Sequence, residues 1–113
     1  MRRLLAIAFS LFLAGDALAF SGFDEIRVTA LPKEARAMLS LIKAGGPFKH
    51  PKDGVAFHNR ERRLPVRNRG YYREYTVPTP GVRDRGARRI IAGESGEYYY
   101  TEDHYRTFHR ILE

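Results

Sequence analysis

Between Tyr71 and His104 the chain sets Glu74, several arginines and one histidine into a short run of text. It reads Y-Y-R-E-Y-T-V, then G-V-R-D-R-G-A-R-R-I-I, then T-E-D-H-Y. Glu74 could remove a proton, His104 could deliver one, and Arg85 and Arg89 could hold a phosphate between them. Those groups suffice to break the backbone of RNA without a metal. The ribose 2′-hydroxyl attacks the neighbouring phosphorus once a base takes its proton, the 5′-oxygen leaves with a proton from an acid, and fixed donors meet the charge on the phosphoryl oxygens. Histidine suits the acid role because its side chain titrates near neutral pH. On residue chemistry alone a plainer reading of Glu74 is the stronger one: a cross-strand salt-bridge partner among many arginines. Likewise, Arg85 and Arg89 read as a solvated basic edge, and a lone histidine usually has no catalytic role.

The elements that must carry these groups follow from periodicity and punctuation. Leu31, Ala35, Met38, Leu39 and Ile42 fall at helical spacing and form one apolar face. Pro32 and Glu34 suit a first turn, and Gly45-Gly46-Pro47 suits an end, so a helix is expected from about Pro32 to Ala44. Strands are expected over Val55–Phe57, Gly70–Val77, Ala87–Ala92 and Tyr98–Thr101, with a last one in Tyr105–Ile111. Pro78–Gly81 and Gly93–Gly96 read as turns. One helix followed by consecutive strands predicts an α+β fold, the helix packed on one face of a twisted antiparallel sheet and the other face left for a ligand. Alternation places Tyr72, Glu74 and Thr76 on one strand face, and Tyr71, Arg73, Tyr75 and Val77 on the face that supplies the core.

The start of the chain has a different grammar. Arg2 and Arg3 precede an apolar run from Leu4 to Leu13, and Ala17-Leu18-Ala19 follows as an A-x-A cleavage pattern. Residues 1–19 therefore read as a signal peptide, and the protein is expected to be secreted as a single domain of residues 20–113. The apolar run is too short to span a bilayer, so no stable membrane insertion is expected. Loss of Arg2, Arg3 and Asp16 lowers the formal net charge from +7 to +6. A basic secreted domain points to a polyanionic partner. Residues 60–89 hold the densest arginine run, and arginine suits forked hydrogen bonding to phosphate. The chain has no cysteine, so stability rests on packing and hydrogen bonds. Without cysteines, and with histidines scattered, a zinc site is not expected. Neither a phosphate-binding glycine loop ending in lysine nor a G-x-S-x-G elbow occurs.

A set of words occurs here in one order: A-L-P-K-E-A, G-P-F, D-G-V-A-F-H-N-R-E, E-Y-T-V, T-P-G-V-R-D-R-G-A-R-R-I-I and D-H-Y-R-T-F. Together they resemble the secreted microbial guanyl-specific ribonucleases, the family of barnase and the streptomycete enzymes, with the streptomycete branch nearest. The likeness runs from about Val28 to about Phe108.

The resemblance implies a metal-independent, cofactor-free endoribonuclease acting on single-stranded RNA through a 2′,3′-cyclic phosphate. It implies Glu74 as general base, His104 as general acid, Arg85 and Arg89 as the phosphate clamp, and Tyr105 as a further phosphate contact. Arg83 and Arg88 fit a solvated edge better. Base recognition maps to Phe57, His58, Asn59, Arg60 and Glu61. Phe57 offers a stacking face, and main-chain N–H groups of the His58–Arg60 turn suit the guanine carbonyl. Glu61 can accept from the ring N–H and the amino group together, a donor pair that adenine lacks. His58 departs from the glutamine common in streptomycete members, and His50 stands where an aromatic is usual. A monomer is expected, and a small acidic inhibitor protein is a further partner the family admits. The rival reading is a non-enzymatic cationic protein that binds nucleic acid or anionic envelopes. It accounts for the arginines but not for Glu74 and Glu61 standing among them.

Overall fold

The computed structural model describes residues 24–113. The signal peptide expected over residues 1–19 lies outside the described residues. Strand β1 is Asp24–Arg27, and a 3-10 turn, Val28–Ala30, leads into helix α1, Lys33–Ala44. Five strands follow: β2 Ala56–Phe57, β3 Tyr72–Thr76, β4 Arg89–Gly93, β5 Tyr98–Thr101 and β6 His109–Leu112. They form one six-stranded sheet in the order β1-β6-β5-β4-β3-β2.

Helix α1 begins where expected. The carbonyl of Pro32 accepts from the N–H groups of Ala35 and Arg36, and Glu34 lies in the first turn, near the positive end of the helix dipole. Gly45 ends the helix at φ 88°, a left-handed conformation that glycine adopts without a Cβ clash. Its N–H meets the carbonyl of Ile42, and that of Gly46 meets the carbonyl of Leu41.

The helix buries Ala35, Met38 and Leu39, with Leu31 just before it, against Tyr75, Val77, Ile90, Tyr100 and Ile111. These sheet residues alternate with the ones that face away, as a period of two requires. Arg73 shares the helix side near the start of β3. It stays exposed and donates to the carbonyl of Gly54.

Three features differ from expectation. First, the face opposite the helix is not bare. Leu64, Tyr72, Ile91, Tyr99 and Phe108 form a second buried cluster there, flanked by Phe57, Tyr71 and Tyr105. Alternation brings three large side chains from β3, β4 and β5 to that face, and the loop after β2 folds Leu64 onto them. Second, β1 was not expected, and it pairs parallel with β6, so the antiparallel sheet gains one parallel edge. Third, the last strand starts at His109, because His104 and Tyr105 both take positive φ, 56° and 75°, and turn the chain.

Ile90 is fully buried between α1 and the sheet. Ile90→Ala is expected to lower unfolding free energy by roughly 2–5 kcal/mol, through lost transfer energy and the cavity left behind. Val66 is 64% exposed, so Val66→Ala should leave the urea midpoint nearly unchanged.

Candidate active site

Strand register brings the first groups together. Glu74 pairs with Ile91 and Thr76 pairs with Arg89 across β3 and β4, so these four side chains share the face opposite the helix. Strand β3 is fastened from its other side. The N–H of Glu74 donates to the carbonyl of Val55, and the carbonyl of Glu74 accepts from Gly54. Asp53 accepts from the N–H of Thr76 at 2.8 Å, with its side chain almost fully buried.

Arg85 arrives on the loop before β4. Its Nε donates to the hydroxyl of Thr76 and its Nη2 to Glu74 Oε1, both at 2.9 Å. The same Nη2 lies 4.0 Å from Asp53 Oδ1. Gly86 shapes this loop: at φ 67° it lies left-handed, and a Cβ there would meet the hydroxyl of Thr79 at 2.9 Å.

Arg89 is only 3% exposed. Its Nη1 donates to the carbonyls of Gly86 and Arg88, at 3.0 and 2.8 Å. Its Nε stands 3.8 Å from Glu74 Oε1 and has no hydrogen-bond acceptor. The hydroxyl of Tyr105 donates to the same Oε1 at 2.9 Å. One carboxylate oxygen thus gathers two guanidinium groups and a phenol. Burial, together with the neighbouring Glu74 charge, pushes the Tyr105 hydroxyl up to about 12, which keeps it a donor.

His104 is exposed beside this cluster, its ring 4.8 Å from that of Tyr105. Two successive left-handed non-glycine residues are uncommon and need support from their surroundings. Asp103 supplies it. Its Oδ1 accepts from the hydroxyl of Thr101 and the N–H of Thr107, and its Oδ2 from the hydroxyl of Thr107. The hydroxyl of Thr101 accepts in turn from the N–H of Tyr105, and the N–H of His104 donates to the carbonyl of Ala87. Burial acts to raise the Asp103 carboxyl, but these bonds outweigh it and bring it down to about 2.

A groove of about 570 Å³ runs past these residues. Phe57, His58, Asn59, Arg60 and Glu61 line it together with Glu74, His104 and Tyr105. The structure therefore brings every site residue expected from sequence to one groove or into direct contact with Glu74. Their surroundings differ. Phe57 packs against Tyr105 and Phe108, ring centres 4.8 and 6.1 Å away. His58 and Arg60 are exposed. Asn59 takes φ 54°, and its side chain turns inward to bond the main chain of Leu64 as both donor and acceptor. Glu61, 71% exposed, accepts from Nε of Arg63 at 3.1 Å.

Asp53, Thr76, Asp103 and Phe108 were not among the residues expected from sequence. D-H-Y-R-T holds the only local signal, an aspartate four residues before a threonine hydroxyl. Nothing near Asp53 announces that it will reach β3. Among the described residues, no three of His, Cys, Asp and Glu converge in a way that could hold a metal ion.

Comparison with known proteins identifies the family. A family model described as ribonuclease matches residues 16–112. The chain is 54% identical to guanyl-specific ribonuclease St of Saccharopolyspora erythraea over 88 residues, covering 78% of this chain and 87% of that one. It is 58% identical to guanyl-specific ribonuclease Sa of Kitasatospora aureofaciens over 85 residues, covering 74% and 88%. Among solved structures, ribonuclease Sa2 in complexes with mononucleotides superposes with a TM-score of 0.81 at 46% identity, covering 83% of this chain and 98% of that one. Ribonuclease Sa2 with guanosine-2′-cyclophosphate gives 0.77 at 47% identity, covering 80% and 97%. The family model spans nearly all of the described residues and the relatives exceed 50% identity, and on that ground the chain belongs to the ribonuclease family of the microbial guanyl-specific enzymes.

Proposed function

We propose that the protein is an endoribonuclease that cuts single-stranded RNA after guanosine. Glu74 takes the proton of the guanosine 2′-hydroxyl, and the oxygen attacks the adjacent phosphorus. His104 gives its proton to the departing 5′-oxygen, and a 2′,3′-cyclic phosphate remains. Arg85, Arg89 and Tyr105 stabilise the phosphoryl oxygens. Hydrolysis to the 3′-phosphate reuses the pair in reverse, His104 activating water and Glu74 returning a proton. The Glu74 carboxylate, set between two arginines and a tyrosine in a groove that also holds Glu61 and His104, supports this reading most directly.

The unbonded Nε of Arg89 and the two donors to Glu74 Oε1, from Arg85 and Tyr105, are fixed before substrate arrives. Fixed donors need no reorganisation as charge develops, which is how such a site lowers a barrier. Guanine would stack on Phe57, already held by its aromatic neighbours, and present two donors to Glu61. The Glu61–Arg63 pair is exposed and therefore weak, so it can yield to the base. The names of ribonucleases St and Sa and the ligand of ribonuclease Sa2 support the guanine preference.

The proposed active form is a monomer. The signal-like start supports export, and the positive groove would suit a small acidic inhibitor.

Glu74→Gln keeps the shape but loses the base. It should lower kcat/KM by roughly 10²–10⁴-fold while leaving RNA binding within a small factor; near-full turnover would remove Glu74 from this role. Glu61→Ala should shrink the ratio of cleavage after guanosine to cleavage after adenosine, by about 1–3 kcal/mol, the worth of one bidentate pair to a base. An unchanged ratio would place guanine recognition elsewhere.

Asp103 gives a pH signature. Its carboxyl lies lower in the folded chain than the ordinary value of about 3.9 in the unfolded one. Its stabilisation is therefore complete above about pH 5 and fades as pH falls toward about 2. Asp103→Asn should cost roughly 1–2 kcal/mol near neutral pH. Urea midpoints of parent and variant should converge as pH is lowered through about 4. A constant gap between them would contradict this.

A further inference from the structure

Beyond the cleavage groove, on the same side of the sheet, the surface continues as a second, arginine-lined channel. Arg63 and Phe108 belong to the walls of both the cleavage groove and a hollow of about 620 Å³ next to it. Arg62 and Arg63 carry that hollow into a further groove of about 800 Å³, walled also by Arg67 and Arg110. Together these two hollows present five arginines, Arg106 being the fifth, against the three carboxylates Asp24, Glu25 and Glu97. Glu97 is already engaged by the hydroxyl of Tyr71 at 2.7 Å. Arg62, Arg106 and Arg110 are exposed and form no ion pair among the described residues.

Exposed guanidinium groups collected along a concave wall repel one another, and a polyanion relieves that repulsion. The channel also holds a surface of the kind that bases use. The guanidinium of Arg67 lies over the ring of Tyr71 at 5.4 Å, and Val66 beside it is 64% exposed. Single-stranded RNA is held by this pairing of arginines along the backbone with flat groups for stacking. The channel's continuity with the cleavage groove favours the same RNA molecule over a separate small anion.

We propose that this channel is an extended subsite for the sugar-phosphate backbone of RNA lying beyond the cleaved dinucleotide, with Arg62 and Arg110 meeting phosphates and Arg67–Tyr71 as a stacking platform. The subsite rests on the ribonuclease reading for its part in turnover, but its binding of RNA can be measured separately. It adds affinity for longer substrates without adding base preference.

The test uses the double variant Arg62→Gln with Arg110→Gln. Neither residue belongs to the cleavage site, so GpA cleavage should stay within about twofold of the parent, while kcat/KM on a longer oligonucleotide with one guanosine should fall by about tenfold at low salt. The slope of log kcat/KM against log salt should flatten by about 0.7 for each phosphate that the variant no longer neutralises. Equal losses on both substrates, or no loss on either, would overturn the subsite. If the parent cleaves neither substrate, the ribonuclease reading falls, and the subsite is judged by fluorescence anisotropy with labelled oligouridylate. There, about tenfold weaker binding by the double variant supports the channel, and equal binding overturns it.

Discussion

A single carboxylate oxygen organises the active face. Glu74 Oε1 lies 2.9 Å from Arg85, 2.9 Å from the hydroxyl of Tyr105 and 3.8 Å from Arg89. Arg89 is almost fully buried, and a buried guanidinium without a counter-charge is costly. Its carbonyl partners at Gly86 and Arg88 satisfy one nitrogen, and Glu74 supplies the opposite charge. Arg85 depends on the same carboxylate and on Thr76, whose N–H is held by Asp53. Each cation is therefore oriented by groups that also fix the neighbouring strand. A phosphate entering this cluster would meet donors already aligned, with little ordering left to be done.

That arrangement requires a sheet with two different faces. The helix side is an ordinary apolar core, and it keeps β3, β4 and β5 in register. The opposite side is divided. One part is a smaller apolar cluster built on Leu64, Tyr72, Ile91, Tyr99 and Phe108; the other is the charged groove. Phe108 belongs to both, and Phe57 and Tyr105 stand at their border. The second cluster thus acts as a foundation for the loop after Phe57 and for the His104 turn. Without cysteines, this packing and the side-chain bonds of Asn59 and Asp103 hold the loops in place.

Much of this was legible in the residues, because the signals were local. Helical spacing and Gly45-Gly46-Pro47 located α1, and alternation put Glu74 and Thr76 on one face of β3. The choice of Arg89 over Arg88 for that face came from resemblance, since alternation there was neutral. Other features depended on distant partners. Strand β1 is four residues, three of them charged, and exists by pairing with the far end of the chain. Tyr105–Phe108 has strand-like composition, yet the bonds of Asp103 and Thr101 hold it in a turn. The arginine-rich stretch after Glu61 has one buried apolar anchor, Leu64, which gave little warning in the sequence that the loop closes over the sheet. Asp53 was invisible for the same reason: its acceptor role needs β3 to be already in place.

The most direct measurement is cleavage of the dinucleotides GpA, ApA, UpA and CpA by the purified protein in EDTA, with product identity followed over time. The account predicts rapid formation of guanosine 2′,3′-cyclic phosphate from GpA and slow or no cleavage of the other three. Equal cleavage of all four would contradict the guanine site at Phe57 and Glu61. Failure of the well-folded protein to cleave any of them would contradict the role given to the Glu74 cluster.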